Sequence, residues 1–182
     1  MRKRHHAFCP FGPRIWLMTD ERLGDGLMDA VRALPPGSGI IFRHYATAPK
    51  ARRALFKQVK AAACRHRHTL LLAGRPAQAR AWGADGTHGR HRGSMTAPVH
   101  SLRELREAER LGARLLFVSP VFATRSHPGA KGIGRLGLMQ LAHQTRCPVI
   151  ALGGMTSARF RALRQSGIYG WAAIDGLTVR RA

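Results

Sequence analysis

The sequence predicts one α/β domain, a single compact (β/α)₈ barrel with some shortened helices. Two observations predict it. Apolar runs alternate regularly with segments of helical period, giving eight strands in all, as expected of βα units around a parallel sheet. The 182 residues also suit one domain better than two. Residues 1–13 read as a basic extension and 14–182 as the barrel. The chain is short against the roughly 200 or more residues typical of such barrels. Some helices must therefore be abbreviated, above all between Thr87 and Thr96.

Each element follows from local chemistry. The first strand reads Ile15-Trp16-Leu17-Met18 and ends at Thr19-Asp20. A short helix with Leu27, Val31 and Leu34 on one face stops at Pro35-Pro36-Gly37. Strand two spans Gly39 to Arg43, and Thr47 with Pro49 opens a long helix through Leu55, Val59 and Ala63. Proline suits a first turn, where its missing N–H would lack a partner anyway. Thr69 to Leu72 is strand three, followed by a helix from Ala77 to Trp82. Gly83 to His88 is a short fourth strand and Met95 to Val99 a weak fifth.

Ser101-Leu102-Arg103-Glu104 has the form of a capping box, with Leu102, Leu105, Ala108 and Leu111 as the buried stripe behind it. Leu115 to Val118 is strand six, opening into a long loop from Ser119 to Gly134. A helix from Leu136 to Thr145 leads to strand seven, Pro148 to Leu152, closed by Gly153-Gly154. Thr156 or Ser157 caps a helix carrying Phe160 and Leu163, with Gly167 as its left-handed stop. Tyr169 to Ile174 is strand eight, and Asp175-Gly176 follows.

Composition narrows the function classes. No apolar run approaches the roughly 18 residues of a membrane span, and the basic start lacks the apolar core of a secretory signal. The expectation is a cytoplasmic protein without a membrane partner. Cys9, Cys64 and Cys147 are scattered and show no metal-ligand spacing, so reduced thiols are expected. Net charge is +22, from 31 Lys+Arg against 9 Asp+Glu. Such a balance raises nucleic acid as a partner. The cations are dispersed along the chain, however, and no helix-turn-helix, finger or RNP pattern occurs, which favours a generally basic surface.

In a parallel barrel, chemistry sits where strands end and βα loops begin. Those positions hold Thr19-Asp20, Arg43, Ala73-Gly74-Arg75, His88, His100, the Ser119–Gly134 loop, Gly153-Gly154 and Ile174-Asp175-Gly176. Glycines after strand seven let the backbone approach a ligand, and the N–H groups beyond them favour an anion. A phosphate site after the last two strands is recurrent in this architecture. A plain tight turn explains the Gly-Gly pair equally well.

Val118-Ser119-Pro120-Val121-Phe122-Ala123-Thr124-Arg125-Ser126-His127 and Pro148-Val149-Ile150-Ala151-Leu152-Gly153-Gly154-Met155 resemble thiamine phosphate synthase and its TenI (thiazole tautomerase) relatives. So do Trp16-Leu17-Met18-Thr19-Asp20, Ala84-Asp85-Gly86-Thr87-His88 and His100-Ser101, in family order over about residues 14–177. The resemblance implies thiamine biosynthesis. Its synthase members join a pyrimidine diphosphate to a thiazole phosphate, releasing pyrophosphate with help from magnesium.

The departures matter as much. Ala73-Gly74 stands where the synthases carry Asn-Asp, and Arg90-His91-Arg92-Gly93 holds no counterpart of their second metal-binding Asp. Arg43 remains on strand two without its Lys companion, and Pro98 replaces a serine before His100. The strand-six loop keeps two hydroxyls, Thr124 and Ser126, while its Lys becomes His127. The tautomerase catalytic His aligns with Pro120, so that role does not carry over.

The resemblance, with both magnesium-binding Asp missing, implies a TenI-like, metal-independent member of the family whose ligand is a phosphorylated small molecule, a thiazole phosphate or thiamine phosphate. No cofactor is expected, Mg²⁺ being needed only if synthase activity is retained, and no metal ligands are assigned. Arg43, Thr124 and Ser126 are the candidate ligand-binding residues, with Gly153, Gly154, Ile174 and Asp175 for the phosphate. His127 is the candidate catalytic acid–base, since an imidazole titrates near neutrality. Asp175 is awkward beside a phosphate unless a cation offsets it. An active synthase using Arg in place of metal ligands and a non-catalytic binder of phosphate ligands or nucleic acid remain alternatives.

Overall fold

A computed structural model describes residues 12–124, 131–163 and 166–177. Eight parallel strands close into a barrel in sequence order. They are β1 (Ile15–Met18), β2 (Gly39–Phe42), β3 (Thr69–Ala73), β4 (Gly86–His88), β5 (Thr96–Val99), β6 (Leu115–Val118), β7 (Val149–Leu152) and β8 (Gly170–Ala173). Closure is made where β1 pairs with β8, Trp16 opposite Ala172. The described helices are α1 (Leu27–Ala33), α2 (Pro49–Arg65), α3 (Pro76–Trp82), α4 (Leu102–Arg110), α5 (Gly134–His143) and α6 (Ser157–Leu163).

Most strands are buried on both faces, which is why they read as apolar runs rather than as alternation; the short β4, Gly86-Thr87-His88, is not such a run. Side chains still alternate along them. Trp16, Met18, Ile41, Leu71, Phe117 and Ile150 fill the barrel interior. Leu17, Ile40, Phe42, Leu70 and Leu72 point outward onto Phe56, Val59 and Val31 of the helices. On the other side of the barrel, Leu116, Val118 and Ala151 meet Leu105, Leu138 and Leu163. Trp16 and Phe117 meet edge to face at 5.4 Å in the interior. Gly39, paired with Trp16, makes room for that indole: a Cβ there would lie 2.2 Å from the ring.

Several expectations are corrected. A 3₁₀ segment, Glu21–Gly26, precedes α1, nucleated by Asp20, whose carboxylate accepts the Arg22 N–H. Thr47 does not cap α2. The cap position is Ala48, without a side-chain bond, while the Thr47 hydroxyl donates to Glu21. In α4 the Ser101 hydroxyl accepts the Glu104 N–H at 3.2 Å, but Glu104 reaches back one residue further, to the His100 N–H at 2.7 Å. Leu102 is 45% exposed, so the buried stripe of α4 is Leu105 and Ala108. The abbreviation expected between Thr87 and Thr96, by contrast, is present: no helix stands between β4 and β5. Backbone bonds from Gly89 to Thr96 and from Met95 to Thr87 close the connection directly.

Candidate functional site

A cavity of about 450 Å³ opens at the carboxyl ends of the strands. The loop after β6 supplies Ser119, Pro120, Ala123 and Thr124, the turn after β7 supplies Gly153 to Thr156, and the end of β8 supplies Ala173 to Gly176. Arg43 enters from β2 and Arg159 from α6. Arg43, Thr124, Gly153, Gly154, Ile174 and Asp175 thus share one wall system. Ser126 and His127 lie outside the described residues. Ser119, Thr156, Arg159 and Gly176 belong to the same cavity; Ser119 and Gly176 were read from the sequence as strand-end positions without a ligand role, and Thr156 and Arg159 were not read as site residues. For Arg159 the signal was present, a cation three residues after a capping hydroxyl that follows Gly-Gly.

The glycines are held to their identity by the loop after β6. Gly153 has φ +94° and Gly154 φ +59°, a region that side chains rarely enter. A Cβ on Gly153 would come within 2.8 Å of Pro120 Cα, and one on Gly154 within 2.6 Å of the Ala123 carbonyl. On the other side of the cavity, a Cβ on Gly176 would press on the Met155 carbonyl at 2.3 Å. The three close approaches bring the loops after β6, β7 and β8 together and shape the cavity floor from backbone. Thr156 caps α6, its hydroxyl accepting the Arg159 N–H at 3.2 Å. The Arg159 guanidinium lies 4.6 Å from the Phe122 ring centroid and donates to the Gly154 carbonyl.

Arg43 is tightly positioned. Its Nε donates to the Thr19 carbonyl at 2.8 Å and its Nη2 to Asp20 at 2.6 Å. Asp20 also receives Arg22 Nε at 2.8 Å. Burial pushes the Asp20 carboxyl up, but the hydrogen bonds from Arg22 and the charge of Arg43 outweigh it and leave the group below the usual carboxylate range. The bond to Asp20 raises the pKa of Arg22, and the charge of Asp175 adds to it. Asp175 therefore sits in the positive field of Arg22, which relieves the awkwardness of an acid at this rim.

Below this network, His88 closes the barrel interior. It is 7% exposed, with Nδ1 2.8 Å from the Thr96 hydroxyl and its ring edge-on to Phe117. Burial drives its pKa down to about 3, and Arg43 pushes the same way, so the imidazole is neutral near pH 7. His100 is exposed on the rim and pairs with Glu104 at 2.7 Å, where Arg90 also lands at 2.6 Å. Arg90 is thus spent on Glu104. Asp85 accepts the Leu70 N–H just ahead of β4, at the opposite end of the barrel from Asp20 and Asp175.

A closed (β/α)₈ barrel with a backbone-lined cavity at the carboxyl ends of its strands is the class of protein that this fold and site define. The model of the thiamine monophosphate synthase (TMP-TENI) family matches residues 16–177, and the chain belongs to that family, one of thiamine biosynthesis. It is 32% identical over 188 residues to the thiamine-phosphate synthase of Salinispora arenicola, covering 91% of this chain and 89% of that one. It is 29% identical over 179 residues to a chain of Aquifex aeolicus provisionally named thiamine-phosphate synthase 2, covering 90% and 96%. Among solved structures, thiamine phosphate pyrophosphorylase of Pyrococcus furiosus superposes with a TM-score of 0.76 at 23% identity, over 91% of this chain and 87% of that one. That likeness speaks for the fold.

Proposed function

We propose that the chain is a TenI-type, metal-independent member of its family that binds a thiazole phosphate or thiamine phosphate at the barrel mouth. The observation that carries the reading is the cavity itself. Its lining brings together Gly153, Gly154 and Gly176, the hydroxyl-bearing Thr124 and Thr156, and the cationic Arg43 and Arg159. A phosphate bound there meets main-chain N–H groups near Gly154 and Ile174-Asp175, with cations close enough to strengthen those bonds. Thr124 and Ser126 donate hydroxyls to the polar end of the ligand. His127 is the group assigned to move a proton during turnover.

Magnesium does not fit the residues present. Ala73-Gly74 and Arg90-His91-Arg92-Gly93 hold no carboxylate, and the Asp20 carboxylate is engaged by two arginines. Among the described residues no three His, Cys, Asp or Glu side chains come together as a metal cage. A leaving pyrophosphate needs its charge neutralised and its geometry fixed, which fixed arginines do less well than an orienting cation.

Calorimetric titration with thiazole phosphate, thiamine phosphate and pyrophosphate, each with and without magnesium, tests the reading. The monophosphates are expected to bind equally in both conditions, and His127→Ala is expected to abolish turnover while sparing affinity. Product formation that depends on added magnesium would replace this reading with an active synthase.

A further inference from the structure

We propose that the outward face of α2 binds the phosphodiester backbone of nucleic acid without regard to sequence. Along the chain the cations look dispersed, but the helix gathers them. Lys50, Arg53, Lys57 and Lys60 follow one another at three- and four-residue steps and are all exposed. At about 100° per residue they occupy an arc of about 80° on one face, and ten residues of rise make the ridge about 15 Å long. One nucleic-acid strand presents a phosphate about every 3.4 Å of axis, so a ridge of that length faces about four phosphates.

Nothing acidic competes. Between Asp29 and Asp85 the sequence contains no carboxylate, and among the described residues none of the four cations forms an ion pair. Lys60 reaches only the Trp82 carbonyl, at the end of α3, whose exposed Arg80 continues the basic surface. Arg52, by contrast, turns inward to the carbonyls of Arg43 and Ala73. The ridge lies on the outer ring of helices and shares no residue with the cavity lining.

The face also lacks what a lipid surface requires. The apolar side chains of α2, Phe56, Val59, Ala62 and Ala63, are buried against the barrel. The other exposed residues of the helix are small or polar, Pro49, Ala51, Ala54, Gln58, Ala61, Cys64 and Arg65, with no large apolar side chain among them. A helix that rests on a membrane needs apolar anchors facing outward. The ridge therefore fits a hydrated polyanion of regular charge spacing.

The test compares two charge-matched variants of the full chain by fluorescence anisotropy against 20-base-pair DNA and RNA duplexes across a salt series. One carries Lys50→Gln, Arg53→Gln, Lys57→Gln and Lys60→Gln. The other carries Arg103→Gln, Arg110→Gln, Arg135→Gln and Arg146→Gln, four exposed cations on other helices and loops. Glutamine is a good helix former, so both are expected to fold. Removing four phosphate contacts lowers the slope of log K against log salt by about 3 to 4, and Lys57→Gln alone by about 1. The second variant is expected to change the slope by less than 1. Equal loss in both variants, no binding by the parent chain, tighter binding to anionic lipid vesicles, or equal competition by polyglutamate would each overturn the proposal.

Discussion

His88 is the residue whose chemistry is most tightly tied to the barrel. Its ring is packed against Phe117, its Nδ1 is engaged by Thr96 and only 7% of the residue is exposed, so a proton on it is poorly hydrated. The folded-state pKa of about 3 lies below the ordinary imidazole value. The unfolded chain therefore takes up the proton first as pH falls, and stability is full above about pH 6.5 and declines steadily toward pH 3. Over the 1.5 units from 6.5 to 5 the loss is about 2 kcal/mol. His44 and His68, also depressed by burial, add in the same direction. Urea titrations at pH 7 and pH 5 are expected to show this loss, and His88→Asn is expected to shrink it; a flat profile would refute the assignment. The glycines make a second argument at this scale. Gly153→Ala is expected to cost about 1–3 kcal/mol with no ligand present, because its Cβ meets the Pro120 backbone in a positive-φ conformation. Thermal melts of the ligand-free variant separate that packing cost from any role in phosphate binding.

At the scale of elements, α4 shows how a cap couples to the rim. Ser101 starts the helix, and Glu104, held by its backbone bond to His100, gathers Arg90 and the His100 ring into one cluster. Ser101→Ala is expected to cost about 1 kcal/mol in equilibrium unfolding. A loss below 0.3 kcal/mol would mean that Glu104 alone fixes the start of the helix. The same element marks the limit of what the sequence discloses. Ser-x-x-Glu announced the helix start, yet the choice between the Ser101 and His100 N–H groups depends on how the chain leaves β5, which spacing does not encode. Most strands were legible because burial on both faces leaves continuous apolar runs, Ile15-Trp16-Leu17-Met18 as plainly as Leu115-Leu116-Phe117-Val118, whereas Gly86-Thr87-His88 and Thr96-Ala97-Pro98-Val99 were legible only from their place in the alternation. The 3₁₀ segment at Glu21–Gly26 was not, because Asp20 nucleates it by a local bond that leaves no period. At the cavity, Gly153-Gly154 and Ile174-Asp175 were legible as strand ends and Arg159 left a local signal beside Thr156, whereas the influence of Asp175 on Arg22 joins loops distant in sequence.

For the whole molecule the governing quantity is the charge of +22. Surface ion pairs are worth at most about 1 kcal/mol each, and with so few carboxylates they offset little of the mutual repulsion among cations. Sodium chloride should therefore stabilise the fold by screening, with no specific site required. The barrel mouth adds a different kind of effect. A ligand that binds only the folded state raises stability by RT ln(1 + [L]/Kd), about 2.7 kcal/mol at one hundred times Kd. The two contributions part company at matched ionic strength. Melting temperature is expected to rise with sodium chloride and then level off, and a phosphate monoester added at constant ionic strength is expected to raise it further in a saturable way. Gly154→Ala, which crowds the Ala123 carbonyl at the cavity floor, is expected to keep the salt response and lose the saturable one. If the monoester adds nothing beyond chloride in the parent chain, the mouth does not hold phosphate, and the positive charge acts on anions only as a diffuse field.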